Sequence, residues 1–298
     1  MKKFVLFFML FMASATVIIT SINHTNSQTN NTQYNLQINY SNFSDSNFSG
    51  FSNITLNISN AINNTGFWKP SPGLSWQLQL TGELNTNYDV DVYDIDLFDT
   101  PKEKIEELHS RNIKVICYFS AGSWENWRAD SEDFPSEVLG NVLEEWPDEK
   151  WLDISRIDIL APIMEKRLDL AVEKGCDGVD PDNIDGYKNN NGFSLTYEEQ
   201  LAYNKWLANE AHERGLSVGL KNDLEQIKDL VNYFDFAVNE QCFQYEECEK
   251  LMPFVNAGKA VFGVEYELDK KDFCDEAKKL NFSWLKMTYD LAGERDAC

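Results

Sequence analysis

The sequence predicts an α/β fold: a (β/α)8 barrel of the TIM type that lacks the helix between its first two strands. Three observations predict it. From Phe67 onward, eight short apolar runs alternate with amphipathic stretches. The runs are rich in Val, Ile, Phe and Tyr and are bounded by Gly, Asn or Pro, as buried parallel strands are. Eight strands with their connections fit into about 230 residues, the size and order of such a barrel. The rival, an open doubly wound sheet, usually carries a Gly-rich phosphate turn, and the chain has neither G-x-G-x-x-G nor a Walker loop.

The runs in order are WQLQL (76–80), VDVYDIDLF (90–98), KVICYFSAG (114–122), GCDGVD (175–180), LSVGLK (216–221), FDFAVNE (234–240), KAVFGVEY (259–266) and WLKMTYD (284–290). The gap 81–89 is too short for a helix. PKEKIEELHSRN (101–112) predicts a helix with Thr100 as N-cap and Pro101 at the first helical position. ILAPIMEKRLDLAVEKG (159–175) ends at a glycine suited to a C-cap. TYEEQLAYNKWLANEAHERG (196–215) opens with Thr196 and Glu199 at capping-box spacing. Residues 223–232, 245–257 and 269–280 are shorter helical candidates.

Composition divides the 298 residues near position 66. Residues 1–22 read as two lysines, an apolar run and small residues: a secretory signal peptide or an N-terminal anchor. Residues 23–66 are rich in Asn, Ser and Thr and nearly uncharged, which predicts a disordered stalk. N-x-S/T sequons stand at Asn23, Asn30, Asn39, Asn42, Asn47, Asn53, Asn57 and Asn63, and a further one at Asn281. Residues 67–298 are the barrel domain. All six cysteines lie in it; an even count behind an export signal predicts disulfides and an extracellular, secreted or cell-surface protein. There is no C-x-x-C pair to suggest zinc. The net charge is −23; Lys2, Lys3 and Asp45 leave the first 66 residues at +1, so the barrel domain carries −24. Such a surface repels nucleic acid and favours cationic partners, with solubility as the bland reading. A monomer is expected, touching a membrane only through an N-terminal anchor.

In such barrels the chemistry lies at the C-terminal strand ends. Those ends collect Gln79, Asp94, Asp96, Tyr118, Ser120, Asp180, Asp182, Lys221, Asn222, Asn239, Glu240, Glu265, Tyr266 and Asp290. Gly178, Asp180 and Asp182 share one side of the fourth strand, and Phe236, Val238 and Glu240 one side of the sixth. Carboxylates there can face each other across the mouth. Two carboxyls across a cleft can cleave a glycosidic bond: one protonates the leaving oxygen, the other attacks carbon or activates water. Trp76, Tyr118, Trp124, Trp127, Tyr187 and Tyr266 lie at or just after strand ends, where rings can stack on sugars. Singly each reads as core, Trp124 and Trp127 in AGSWENWRAD least so. The acid-rich stretch GCDGVDPDNIDGY (175–187) fails as a calcium loop at Ile184, Asp185 and Asn191. A Ser-His-Asp site would have to draw on His24, His109 or His212, in the stalk or on helices.

The strings ICYFSAGSWENWR, WLDIS, IMEKRLDLAVEKGCDGVDPDNIDGY, GLSVGLKND and FAVNEQCFQYEEC resemble glycoside hydrolase family 114, the endo-α-1,4-polygalactosaminidases and their relatives, over residues 68–298. The resemblance implies a barrel enzyme that cuts α-1,4-linked galactosamine polymers internally, without cofactor or metal. It implies a catalytic pair at Asp182 and Glu240, by analogy with other α-glycosidase barrels a nucleophile and an acid/base in a retaining reaction. Asp180 stands where relatives often carry Glu. The partner it implies, a cationic galactosamine-containing polysaccharide, suits the acidic charge. Asp94, Asp96, Asp180, Asp185 and Glu265 are candidates to hold its ammonium groups. Tyr118, Trp124, Asn183, Tyr187, Lys221, Asn222 and Tyr266 are candidates to complete substrate binding. The resemblance also suggests the pairs Cys117–Cys176, Cys242–Cys248 and Cys274–Cys298. The rival classes are a carbohydrate-binding barrel without turnover and a hydrolase of a different amino-sugar polymer.

Overall fold

The computed structural model describes residues 66–298 throughout and, before them, the backbone of Met9–Met12, Ala15–Thr25, Gln33–Asn42 and Ser49–Leu56. The chain divides into two units at Gly66, and each is described by itself. In the first unit those four strands form an antiparallel sheet in chain order. Where composition reads as a disordered stalk, Tyr34, Leu36, Ile38 and Tyr40 alternate with polar residues, the period of a strand. The expected leader over 1–22 and the side chains of the stalk's sequons lie in the main outside the described residues.

The second unit is the barrel. Its strands are β1 Trp76–Gln79, β2 Val92–Asp96, β3 Lys114–Ser120 and β4 Gly178–Asp182. They continue as β5 Ser217–Lys221, β6 Phe236–Glu240, β7 Val261–Glu265 and β8 Ser283–Lys286. All eight run parallel and pair in chain order, and no helix joins β1 to β2. Among the described residues β1 and β8 share no ladder. The last segment of chain joins them instead: Asp296–Ala297 pairs antiparallel with β8, Gln77 Nε2 donates to the Gly293 carbonyl (3.0 Å), and Leu80 N donates to Leu291 O (3.0 Å).

Six helices fill the other gaps: α1 Lys102–Ser110, α2 Ile157–Lys174, α3 Tyr197–Glu213, α4 Ile227–Leu230, α5 Met252–Asn256 and α6 Lys270–Lys279. The capping box at α3 forms, with Glu199 N donating to Thr196 Oγ1 (3.2 Å) and Thr196 N to Glu199 Oε2 (2.8 Å). Gly175 closes α2 at φ +92°, a conformation that favours glycine. At α1 the expected cap moves by one residue. Pro101 itself is the extended cap residue (ψ 145°), and Thr100 makes no side-chain cap bond. Asp177, the first acid of the 175–187 stretch, is structural. It binds Val115 N (2.9 Å), Lys114 (2.7 Å) and His109 (2.9 Å), pinning α1 to β3.

Strand alternation makes two apolar layers. Trp76, Val92, Ile116, Phe236, Phe262 and Leu285 pack together inside the barrel. Tyr93, Cys117, Val179, Val218 and Val261 belong to the layer under the helices. Three disulfides lock the outer layer, in the pairs that the resemblance suggests. Cys117–Cys176 joins β3 to the turn before β4, Cys242–Cys248 closes the loop after β6, and Cys274–Cys298 holds α6 to the last segment. One element was not predicted. Between β3 and α2, Ser123–Glu125, Leu139–Val142 and Glu149–Leu152 form a small antiparallel sheet with Glu149–Leu152 in the middle.

Candidate active site

Three neighbouring strands end on three charged residues: β4 on Asp182, β5 on Lys221 and β6 on Glu240. Lys221 Nζ lies 3.2 Å from Asp182 Oδ1 and 3.7 Å from Glu240 Oε2. Those two oxygens can therefore be no farther apart than the two contacts laid end to end. Asp182 gains two more donors: Tyr118 OH at 2.8 Å on Oδ2 and Asn183 N at 2.7 Å on Oδ1. Glu240 accepts from the Tyr266 hydroxyl on Oε1, and Asn222 Nδ2 reaches Oε2 at 3.4 Å. Asn222 Oδ1 in turn accepts from Glu240 N (3.0 Å), which holds the end of β6 in place.

The backbone bends sharply as each of these strands leaves the barrel. Asn183 (φ +61°), Asn222 (φ +51°) and Gln241 (φ +64°) are the first residues past β4, β5 and β6, and all are left-handed. Asn tolerates that conformation and Gln does so less readily, so the exits hold local strain of the kind found at functional sites. Gly122 is required beside the first of them, because a Cβ there would collide with the Asn183 carbonyl.

Below the mouth lies a second carboxylate pair. Asp94 and Asp180 are 0% and 1% exposed, and neither oxygen of Asp94 nor Oδ1 of Asp180 has a hydrogen-bond partner. Burial, reinforced by the charge of Asp180, raises Asp94 well above the usual carboxylate range. Burial pushes Asp180 up to about 7, with Lys221 opposing the shift. For Lys221 the balance is reversed. Burial would lower its ammonium, but Asp182, Glu240 and Asp180 outweigh it and hold the residue charged well above its ordinary range.

Above the pair opens a cleft of roughly 540 Å³. Of the residues singled out from sequence, it is lined by Asp96, Tyr118, Trp127, Asp182, Asn183, Asp185, Lys221, Asn222, Glu240 and Asp290. Asp96 is not free to hold an ammonium, because Arg128 takes its carboxylate at 2.6 Å. Asp185 is half-buried; burial and the Asp182 charge push it up to about 6. The other expected residues do not line the cleft. Asp94 and Asp180 lie in the barrel interior, and Tyr266 contacts Glu240 without lining the cleft. Glu265 is fully buried and accepts from Phe243 N (2.9 Å), which anchors the loop after β6. Tyr187 packs edge-on against Tyr197, with centroids 5.7 Å apart. Trp124 donates its indole N–H to Ser131 O (3.0 Å) and packs against the core. Trp127 takes the cleft position instead, with Trp146; both are half-exposed. Glu125 and Glu149 of the small sheet also line the cleft and were not expected.

A parallel barrel with two acids held together at its mouth, under an open cleft, is the architecture of a glycoside hydrolase. Comparison with known proteins agrees. The sequence model of glycoside-hydrolase family GH114 matches residues 58–298, and the chain belongs to that family. The barrel is similar to the crystal structure of Aspergillus fumigatus Ega3 in complex with galactosamine. The identity is 44%, over 78% of this chain and 98% of that chain, with a TM-score of 0.75. It shares its fold with the glycoside hydrolase domain of PelA from Pseudomonas aeruginosa, at 12% identity over 74% of this chain and 98% of that chain and a TM-score of 0.59. No curated protein matches the chain.

Proposed function

We propose that this glycoside hydrolase cuts α-1,4-linked galactosamine polymers internally and with retention, using Asp182 as nucleophile and Glu240 as acid/base. The observation that carries the reading is the Lys221 ammonium between the two carboxylates. Lys221 sits closer to Asp182, which also receives the Tyr118 hydroxyl and the Asn183 amide. Those contacts hold the Asp182 carboxylate in one orientation at the mouth, as a nucleophile requires. Glu240, the farther of the two from the ammonium, takes the acid/base role. In the first step Asp182 attacks the anomeric carbon while Glu240 passes its proton to the leaving oxygen; Glu240 then takes a proton from the water that releases the sugar. Retaining pairs stand about 5–5.5 Å apart and inverting pairs about 6.5–9.5 Å. Two acids that reach one ammonium can stand at the first distance, and retention follows the analogy with other α-glycosidase barrels.

The substrate reading rests on the similarity to Ega3, whose structure holds galactosamine, and on a cleft that is acidic on several sides. Export fits with it: three disulfides belong in an oxidising compartment, and residues 1–22 and 23–66 read as a leader or anchor and a glycosylated stalk.

The test takes the protein from the culture medium of a producing cell, where its intact mass reports the leader and the glycans. α-1,4-Galactosamine oligosaccharides are then digested and followed by mass spectrometry, with NMR of the first-formed anomer. Internal cuts with the α anomer retained are expected, and Asp182→Asn and Glu240→Gln should each lower kcat by on the order of 10²–10⁴. Cleavage of a neutral hexosaminoglycan alone would remove the substrate reading, and a first-formed β anomer would remove retention.

A further inference from the structure

Glu149 is a buried acid without a cation. Its side chain comes from the middle strand of the small sheet, is 7% exposed, and lines the cleft with Asp182 and Asn183. Among the described residues no Lys, Arg or His approaches it within ion-pair distance. The two nearby guanidiniums are committed elsewhere: Arg128 to Asp96 (2.6 Å) and Glu125 (2.9 Å), Arg167 to Asp130 (2.8 Å) and to the Ser120 carbonyl (2.6 Å). Glu125, 2% exposed and also lining the cleft, takes the rest of their charge, with Arg167 Nη1 3.8 Å from its Oε2. With both guanidiniums occupied, Glu149 is left at the cleft wall, largely buried and without an ion-pair partner. That arrangement is costly unless a cation arrives from outside.

The acid is also well placed. Ser123 Oγ donates to Glu149 Oε2 (2.5 Å) and meets Ser120 Oγ at 2.6 Å. Asn183 Nδ2 donates to Ser120 Oγ (2.9 Å), while Asn183 N donates to Asp182 Oδ1. A short polar chain thus fixes Glu149 against the residue after the nucleophile. In a galactosamine unit the amine is on C2, the neighbour of the carbon that Asp182 attacks.

We propose that Glu149 reads the amine, its carboxylate taking the C2 ammonium of the galactosamine unit whose anomeric carbon faces Asp182. The inference deepens the function proposed above and rests on it. A free amine gives this wall a charge-assisted hydrogen bond. An N-acetyl group brings no charge and leaves the acid unpaired, so it is rejected. The same contact aids the chemistry. The transition state is positive at the anomeric carbon, next to an ammonium, and a fixed carboxylate offsets that repulsion. Burial pushes Glu149 up to about 7, reinforced by Glu125 and Asp182 against the Ser123 bond.

The test uses the full chain and a randomly, partly N-acetylated α-1,4-galactosamine polymer in oxygen-18 water. The label marks each new reducing end, the unit that faced Asp182, and mass spectrometry reads whether that unit is acetylated. The parent should favour free galactosamine there on the order of a hundredfold over the polymer's composition. Glu149→Gln, which keeps the Ser123 bond, should let the ratio collapse toward the composition, and Glu149→Asp should keep most of the preference. A parent without the preference, or a Glu149→Gln protein that retains it, overturns the proposal. A Glu149→Gln protein that makes no cuts is read by titration with uncut oligosaccharides. Selective loss of affinity for the free-amine form supports the proposal, and equal loss for both forms overturns it. If Glu149→Gln does not fold, loss of the preference in Glu149→Ala supports the role, the more so where Glu149→Asp keeps it, and its survival in Glu149→Ala overturns it. A parent that cuts no galactosamine polymer fails at the earlier reading, visibly before any variant is compared.

Discussion

Four carboxylates share one cation in the barrel: Asp94, Asp180, Asp182 and Glu240 all act on Lys221 or feel its charge. Four negative charges around one positive charge cannot stay buried, so the deepest acid takes up a proton. Asp94 is that acid, and the consequence can be measured. Its folded-state pKa is raised, so the folded protein holds a proton there that the unfolded chain releases near pH 4. From about pH 4 upward that difference costs up to about 1.4 kcal/mol of stability per pH unit, until the folded group itself ionises. Asn has the shape of the protonated acid and carries no such cost. The melting temperature of Asp94→Asn relative to the parent should therefore rise with pH from about 4 upward, until the Asp94 carboxyl of the folded protein ionises. Calorimetry across that range checks it, and a flat difference would mean that Asp94 is ionised in the folded protein. Alternation along β2 places Asp94 and Asp96 on the same face and so marks both as site candidates. Depth is set by cross-strand register, which pairs Asp94 with Ile116 and Asp96 with Tyr118. No local pattern in the sequence reports that register, so a buried acid and a rim acid look alike there.

At the scale of elements, the three disulfides differ in what they constrain. They span 59, 6 and 24 residues for Cys117–Cys176, Cys242–Cys248 and Cys274–Cys298. By loop entropy alone these are worth about 4, about 2 and about 3.5 kcal/mol. Activity should not follow that order. Cys242–Cys248 closes the loop that starts at Gln241 (φ +64°), directly after Glu240, and Cys242 N is held by Asn239 Oδ1 at 3.2 Å. The paired Cys242→Ser/Cys248→Ser variant should lose the least melting temperature and the most kcat, about tenfold, the range of a misplaced acid/base. Equal ranking of the three variants in melting and in kcat would refute the argument. Elements were legible wherever burial and apolar composition coincide. All eight strands coincide with apolar runs, β4 reaching past its run to Asp182 and β8 starting one residue early at Ser283, because a parallel strand is covered on both faces. The small sheet escaped that criterion. Its strands are three or four residues long, and Ser123, Glu125 and Glu149 are polar yet buried. They are buried against the cleft rather than the core, so EEWPDEKW reads as surface charge although one of its acids faces Asp182's cleft. The capping box and the Gly175 cap needed only local geometry, and both were read correctly.

On the scale of the molecule, the −24 charge of the barrel domain acts in two opposed ways. It strains the fold, since like charges repel across a compact surface. It also draws a cationic polymer toward a cleft lined by Asp96, Asp99, Glu125, Glu149, Asp185 and Asp290. Salt weakens both effects, because screening shortens from about 10 Å at 0.1 M to about 3 Å at 1 M. Raising NaCl should therefore stabilise the protein and impair capture of substrate at the same time. The chemical step is different. The Lys221 contacts are buried and only a few ångströms long, so ions in the solvent barely reach them. Between about 0.05 M and about 0.5 M NaCl, KM for a galactosamine oligosaccharide should rise on the order of tenfold while kcat stays within about twofold and the melting temperature climbs a few degrees. Steady-state kinetics and thermal unfolding in the same buffers check all three. A KM that ignores salt would leave recognition to short contacts such as the one proposed at Glu149. A kcat that falls as KM rises would mean that the field of the whole surface, and not the buried Lys221 contacts, supports the chemical step.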